Sequence, residues 1–257
     1  MQILTLTTDW NQQDYYIGTV KGFLVNTLPE LKIVDISHDI PVFDYKKACY
    51  LVKSIYKLYP ENTVHIIGVR GGADGEPAVP IITKVENQWF LGYDNGAFNR
   101  MFDKSENLLS WRIHDQNNST FPEFDFLVKS AVAIIKGHNV DEIGVRFQLP
   151  VNGMINLPSI TQNSIVGIAE YIDGYGNIIT NINKSDFERI RAGRKFEIMV
   201  SRRQNVITRI SPSYNDSSGN LVAVFNSLGK LEIAQINYKA SYSLGIREDS
   251  IISVKFL

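Results

Sequence analysis

The first third of the chain alternates short apolar runs with longer segments whose apolar residues recur at helical spacing. Residues 1–8 and 32–36 predict strands, and residues 14–24 and 44–58 predict the helices that follow them. The run 64–69 (VHIIGV) is apolar without alternation, which is typical of a strand buried on both faces of a sheet. This order of strands and helices predicts parallel right-handed crossovers, and therefore an α/β domain with a mainly parallel sheet.

The pattern changes twice further along the chain. Residues 79–85 and 89–92 predict a hairpin, and residues 121–136 have the periodicity of a helix that covers one face of the sheet. Beyond residue 164 the chain consists of short alternating strands, which predict a small antiparallel barrel or sandwich.

Three segments follow from these patterns. We expect an α/β domain over residues 1–158, a linker over residues 159–164, and an all-β domain over residues 165–257.

The composition is that of an ordinary globular protein. With 26 basic and 27 acidic residues the net charge is −1, which argues against nucleic-acid or anionic-membrane binding. No apolar stretch approaches the ~20 residues of a membrane span, and the amino terminus lacks a secretion leader. The single cysteine, Cys49, excludes an internal disulfide, so we expect a cytoplasmic protein. The four histidines show no ligand spacing, so we expect no metal site.

Candidate site residues lie where the predicted parallel strands end. Ligands of open α/β sheets bind at the carboxyl ends of the strands. Asp9 follows the first strand, where it caps the next helix or contacts a ligand. Arg70 follows the buried strand and opens a turn with three glycines over residues 71–75, which either only turns the chain or approaches a ligand closely.

Several motifs along the chain carry a family resemblance. They are Asp9, residues 16–18 (YIG) with 21–22 (KG), 34–41 (VDISHDIP), 93–96 (YDNG), 172–182 (IDGYGNIITNI) and 226–234 (NSLGKLEIA). In this order and spacing they resemble the S-adenosylmethionine hydroxide adenosyltransferases, which are relatives of the fluorinases and chlorinases. The match covers nearly the whole chain.

The resemblance implies an architecture and a reaction. It implies an α/β domain, a carboxy-terminal β-barrel, and a homotrimer whose adenosyl sites lie between neighbouring subunits. The family reaction is attack of water on the ribose C5′ of S-adenosylmethionine, which gives adenosine and methionine. S-adenosylmethionine or adenosine is then the substrate or ligand, and we expect no separate cofactor.

Five residues match the family's binding positions. Asp9 is placed to accept both ribose hydroxyls, and Phe43 to form a wall against the adenosyl group. Asp173, Tyr175 and Asn177 match the motif for the methionine side and the adenine. The alternative roles are turn formation for Asp173 and Asn177 and core packing for Tyr175.

The chain departs from the family at the residues that orient and deprotonate the attacking water. The hydrolytic members use an Asp, Arg and His set there, whereas this chain has Arg70, Pro77 and Pro122. Proline offers neither acceptor nor donor, and a positioned base typically contributes about 10² to 10⁴ in rate.

Three hypotheses of different classes remain open. The chain is a hydrolase with a rebuilt base, for which Asp74, Glu76 and Glu123 are the nearest acids. Alternatively, it binds adenosine or an adenine nucleotide without catalysis, and Arg70 with the following glycine amides holds an anion. The third hypothesis is a structural homologue with a vestigial pocket. A halogenase, with chloride paired to Arg70, is a weaker alternative.

Overall fold

The chain divides into two compact units, Met1–Ile155 and Asn156–Leu257. The computed structural model describes residues 2–70, 78–96, 98, 101–102, 108–114, 119–149, 157–200, 206–215 and 220–257. Within the range expected to be a linker, Ser159–Ile160 forms a short strand that pairs with Ile165 and Val166. The exact domain boundary stays a prediction.

The first unit begins with the predicted alternation of strands and helices. Its elements are β1 (Ile3–Thr8), α1 (Tyr15–Thr27), β2 (Lys32–Ser37), α2 (Tyr45–Ile55), β3 (Val64–Gly68), β4 (Pro80–Val85), β5 (Gln88–Tyr93), β6 (Leu108–Ile113), a π-helical segment (Glu123–Val128), α3 (Lys129–Ile135), α4 (Val140–Ile143) and β7 (Gly144–Leu149). The predicted hairpin of β4 and β5 is confirmed, with Ile82 opposite Leu91.

The sheet of this unit is mixed, so the expectation of a mainly parallel sheet is wrong in its finer part. Its strand order is β2-β1-β3-β5-β4-β6-β7. The pairs β2–β1, β1–β3 and β3–β5 are parallel, whereas β5–β4, β4–β6 and β6–β7 are antiparallel. The helix-connected crossovers hold only as far as β3, because β4 then runs antiparallel and returns through the hairpin into β5, and β6 and β7 continue antiparallel.

Strand β3 lies at the centre of the parallel half and is buried on both faces. Ile66 belongs to an apolar cluster with Leu24 of α1, and Ile67 belongs to a second cluster with Val52 of α2. Burial on both faces explains the continuous apolar run in the sequence. Cys49 is part of the second cluster and is 2% exposed, as expected for a small buried residue.

The second unit is a nearly closed antiparallel barrel with two short helices. Its elements are β8 (Ser159–Ile160), β9 (Ser164–Ile172), β10 (Ile178–Asn183), α5 (Lys184–Arg191), β11 (Phe196–Val200), β12 (Val206–Ile207), β13 (Leu221–Phe225), β14 (Lys230–Gln235), α6 (Ala240–Leu244) and β15 (Ile251–Phe256). The order β12-β11-β15-β9-β10-β14-β13 brings the two ends of the sheet together. Beyond β12, the backbone N–H of Ser211 donates to the carbonyl of Ala223 at 2.8 Å across this seam. Of the barrel and sandwich alternatives, the barrel describes this sheet.

One aromatic side chain fills the barrel interior. Phe187 of α5 is fully buried and makes edge-to-face contacts with Phe196, Phe225 and Phe256, with ring centroids 5.0–5.4 Å apart. Such pairs stabilise a core by about 0.5–1.5 kcal/mol beyond the area that they bury. Phe187 therefore fixes α5 against three strands of the barrel.

Among the helices that the structure describes, none combines the length and the apolar character that crossing a membrane requires.

Candidate functional site

The carboxyl ends of three adjacent parallel strands bring candidate residues of the first unit to one edge. In the sheet, Thr8 of β1 lies beside Gly68 of β3, and β5 is the next neighbour of β3. Asp9 follows β1, Arg70 follows β3, and Tyr93 is the last residue of β5. Because neighbouring strands lie about 4.8 Å apart, these three residues start from neighbouring positions.

Asp9 is held by the loop after β2 and does not cap α1. Its Oδ2 accepts a hydrogen bond from the backbone N–H of Phe43 at 2.9 Å, and the N-cap position of α1 is occupied by Asp14. Burial raises the pKa of the Asp9 carboxyl, and the Phe43 hydrogen bond opposes this shift. Asp9 is therefore a half-buried carboxylate whose two oxygens have more acceptor sites than the Phe43 N–H and its own backbone N–H occupy.

Phe43 presents its ring to solvent from an unusual backbone conformation. Its φ is +66°, and its side chain is 64% exposed. A left-handed conformation is uncommon for a bulky residue and costs on the order of 1 kcal/mol or more, so the surrounding structure must impose it. The hydrogen bond to Asp9 is one such constraint, and it fixes the backbone of this exposed aromatic residue beside the carboxylate.

His38 fixes the backbone on both sides of Asp9. Its Nδ1 lies 2.7 Å from the Thr8 hydroxyl, and its carbonyl accepts from the Asn11 N–H at 2.9 Å. Its ring also stacks on Trp10 with a centroid distance of 6.5 Å. His38 is 5% exposed, and its Nε2 lies 3.2 Å from Asp35. These contacts give Asp9 a rigid base.

Tyr93 and Glu123 form a hydrogen-bonded pair at the same edge. The Tyr93 hydroxyl donates to Glu123 Oε1 at 2.9 Å, and the Tyr93 ring is 2% exposed. Burial is the main reason that the pKa of the Tyr93 hydroxyl is raised above its usual value; the charges of Glu123 and Asp9 raise it further, whereas Arg70 lowers it. The phenol therefore stays protonated and holds one oxygen of the carboxylate.

Glu123 is the first residue of a π-helical segment. The segment Glu123–Val128 follows Pro122, and α3 continues from it without a break. π-Helical turns are rare and occur frequently at functional sites because they reorient side chains within a helix. The predicted helix over residues 121–136 thus exists, but the sequence did not indicate its wider first turns.

A cavity of about 430 Å³ opens beside Tyr93. Two of the positions at which the chain departs from the family pattern, Arg70 and Pro122, line it together. The remaining lining residues are Ala78, Val79, Pro80, Tyr93, Arg112, Ile113, His114, Phe126 and Val145. Arg70 and Pro122 therefore face one shared space, although they are about 50 residues apart in sequence.

In the second unit, Asp173 closes the turn between β9 and β10. Its Oδ1 accepts from the N–H groups of Tyr175 and Asn177 at 2.9 and 2.8 Å, and its Oδ2 accepts from the Asn177 side chain at 3.1 Å. The turn-forming role is thus confirmed for both residues, and their binding role stays a prediction. Tyr175 is 82% exposed, so the core-packing alternative for Tyr175 is wrong.

Several predicted residues lie outside the described part of the chain. These are Asp74, Glu76, Pro77 and the glycines over residues 71–75. Among the residues that the structure describes, no group of three or more His, Cys, Asp or Glu side chains is arranged to hold a metal ion.

Sequence reasoning missed the roles of Tyr93, His38, Arg112 and His114 in building this edge. Tyr93 and His38 lie inside motifs that the sequence singled out, so their contacts with Glu123 and Thr8 had a sequence signal. Arg112 and His114 had none, because strand β6 was not predicted.

Comparison with known proteins identifies relatives over almost the full length. Sequence profiles of the SAM hydroxide adenosyltransferase N-terminal and C-terminal domains match residues 4–144 and 167–253. An (R)-S-adenosyl-L-methionine hydrolase of Methanocaldococcus jannaschii is 27% identical over 261 residues, covering 96% of this chain and 93% of its own. A fluorinase of Nocardia brasiliensis is 21% identical over 294 residues, covering 98% of this chain and 96% of its own.

A solved structure has the same fold. The crystal structure of an uncharacterized conserved protein from Thermotoga maritima has a TM-score of 0.82 at 24% identity, covering 99% of this chain and 100% of the other. The matched profiles span both units. Members of this family use S-adenosylmethionine as a substrate, without a separate cofactor. The chain belongs to the SAM hydroxide adenosyltransferase family.

Proposed function

We propose that the protein binds S-adenosylmethionine and hydrolyses it to adenosine and methionine, with Glu123 as the base. The observation that carries this proposal is the Tyr93–Glu123 hydrogen bond of 2.9 Å at the sheet edge that also bears Asp9. It supplies a fixed carboxylate next to Pro122, the position at which the family's histidine is replaced. The family membership and the hydrolases among its relatives support the reaction class.

The proposed chemistry needs one proton acceptor and one positioned sugar. Asp9 accepts hydrogen bonds from the two ribose hydroxyls, and the exposed Phe43 ring packs against the adenosyl group. The water oxygen attacks C5′ while the C5′–S bond breaks, and its electron pair leaves with the methionine sulfur. Glu123 takes the proton of the attacking water. Asp74, the second predicted base, lies outside the described residues.

The second unit completes the proposed site in an oligomer. We place the methionine side of the substrate against Asp173, Tyr175 and Asn177, whose turn is ordered by three hydrogen bonds. By analogy with the family, the assembly is a homotrimer with sites shared between neighbouring subunits.

A second candidate function is adenosine binding without catalysis. Arg70 and Pro122 favour it, because neither side chain accepts a proton from water and both line the cavity. Arg70 also brings a positive charge toward a positively charged sulfonium. Two like charges about 4 Å apart cost about 4 kcal/mol at an effective dielectric constant of 20.

The experiment that separates the two functions measures turnover with purified protein. Enzyme at concentrations comparable to S-adenosylmethionine is incubated, and adenosine and methionine are quantified by chromatography. Glu123→Gln is expected to lower the rate about 10² to 10⁴-fold, because it removes the base and keeps the side-chain volume. Glu142→Gln changes another acid of the same unit, in α4, and serves as the matched control.

The outcomes are distinct. Adenosine and methionine release that Glu123→Gln abolishes, and Glu142→Gln leaves intact, supports the hydrolase. If the rate is unchanged in Glu123→Gln, Glu123 is not the base. Asp74→Asn then tests the second predicted base. No product from any sample, together with measurable adenosine binding, supports the second candidate.

A further inference from the structure

The cavity beside Tyr93 is lined by cationic and neutral groups. Arg70, Arg112 and His114 contribute basic side chains, and Tyr93 contributes a hydroxyl-bearing ring. Among the described residues that line it, none carries a carboxylate. Glu123 lies close by, but it accepts the Tyr93 hydroxyl and is not part of the lining. A cavity with this lining attracts anions.

Arg70 lies at the same sheet edge as Asp9, where the ribose is proposed to bind. It follows β3, whose neighbour β1 ends immediately before Asp9. Its side chain is exposed, and no carboxylate of the described residues lies within ion-pair distance of it. A guanidinium in this position reaches groups attached at C5′ of a ribose that Asp9 holds, and its planar fork matches the oxygens of a phosphate.

Arg112 and His114 border the cavity from β6. Arg112 lines the cavity, and its guanidinium lies 5.2 Å from the centroid of the Phe147 ring, which is not part of the lining. His114 follows the last residue of β6, where its backbone N–H donates to Ile143, and its imidazole is exposed. Both side chains add hydrogen-bond donors or positive charge to the cavity from β6, whereas Arg70 contributes from the end of β3.

We propose that this cavity binds the phosphate of adenosine 5′-monophosphate, and that AMP is a ligand of the protein. The inference rests on the proposed adenosyl site at Asp9 and names the group that occupies the adjoining space. The phosphate is esterified at C5′, so a ribose held by Asp9 directs it toward Arg70. The same positive charge that disfavours a sulfonium favours a phosphate dianion, so AMP competes with S-adenosylmethionine for this site.

Calorimetry with adenosine and AMP tests the assignment. AMP is expected to bind the wild-type protein at least about ten-fold tighter than adenosine, which is the usual contribution of a charge-assisted hydrogen bond. Arg70→Gln and His114→Gln are expected to reduce this ratio, with the larger loss for Arg70→Gln. Arg146→Gln is the matched control, because Arg146 lies on β7 with its guanidinium 5.9 Å from the Trp111 ring and does not line the cavity.

Each outcome decides the inference. The AMP proposal is supported if the preference for AMP over adenosine falls in Arg70→Gln and persists in Arg146→Gln. Added salt should also weaken this preference. Equal affinities for AMP and adenosine overturn it and leave the adenosyl site standing. An AMP preference unaffected by Arg70→Gln and His114→Gln also overturns it. If inorganic phosphate strengthens adenosine binding while AMP binds no tighter than adenosine, the cavity holds a free anion and the AMP assignment is wrong. If neither adenosine nor AMP binds, the proposed adenosyl site fails as well.

Discussion

At the scale of single residues, Asp9 shows a conflict between stability and binding. Burial raises its pKa, so folding favours the protonated carboxyl over the charged form. At neutral pH the folded protein therefore bears the cost of a half-buried charge, and this cost fades as the pH falls below the folded-state pKa. A charge kept at such a cost is expected where a ligand uses it.

We therefore expect Asp9→Asn to stabilise the free protein at pH 7 by about 0.5–2 kcal/mol, the range common for single stabilising substitutions. Asparagine retains an oxygen for the Phe43 N–H, so the loop stays in place. Thermal unfolding measures the gain, which should vanish in acid. Calorimetry should show adenosine affinity reduced at least about ten-fold. A less stable variant with unchanged affinity would contradict both statements.

His65 gives a second residue-scale prediction, this one on the pH dependence of stability. The His65 ring is fully buried. The Thr5 hydroxyl lies 2.8 Å from its Nδ1, and Gln88 Oε1 lies 2.7 Å from its Nε2. The Gln88 amide nitrogen donates to the carbonyls of Tyr56 and Tyr59, so its oxygen faces the ring and accepts from Nε2. Burial is the main reason that the His65 pKa is lowered to about 4.

Since the unfolded chain binds this proton near pH 6.5, the stability should be full above pH 6.5 and fall by about 3 kcal/mol as the pH drops to about 4. Urea unfolding at several pH values measures this slope. In His65→Asn the slope over this window should flatten, whatever the absolute stability, while exchanging the exposed His138 for Asn should leave it unchanged.

At the scale of elements, the turn between β9 and β10 depends on one glycine. Gly176 has a φ of +80°, and a Cβ added there would lie 2.5 Å from Cβ of Lys239. Gly176→Ala should destabilise the second unit by about 1–3 kcal/mol, through both the strained φ and the clash. Gly174→Ala, two residues earlier, meets nothing within 4 Å and should change the unfolding free energy little. Equal effects of the two substitutions would contradict this account.

The elements also show what the sequence could and could not predict. Strands β1 to β5 and helices α1 and α2 followed from periodicity, and Asp44 caps α2 by accepting from the Lys47 N–H at 3.0 Å. Strand β7 was missed because alternate burial is broken along it, with Val145, Arg146 and Gln148 all exposed. The mixed sheet could not be derived, because strand direction depends on pairings between segments far apart in sequence.

The same limit applies to the site. Asp9 and Arg70 could be placed at one edge from local patterns alone, since both follow predicted parallel strands. The Tyr93–Glu123 pair joins residues 30 positions apart, and it required the π-helical segment to face β5. The periodicity of the sequence contains no information about that contact.

At the scale of the whole molecule, the proposed trimer gives a direct measurement. Light scattering on purified protein should give three times the chain mass of 29.1 kDa. If sites are shared between subunits, dilution into monomers should abolish adenosine binding, and bound adenosine should strengthen the assembly through mass action. A monomer that binds adenosine as well as the assembly does would contradict the shared site.

The mixed sheet of the first unit divides labour between its two halves. The parallel strands β1 and β2 set Asp9 and its His38 support, whereas β4, β6 and β7 supply much of the cavity wall. The connection from β6 to β7 nevertheless carries the π-helical segment and α3, and both contact β3 of the parallel half. A substitution in that connection therefore affects the cavity wall, to which Pro122 and Phe126 belong, and the packing around β3 at the same time.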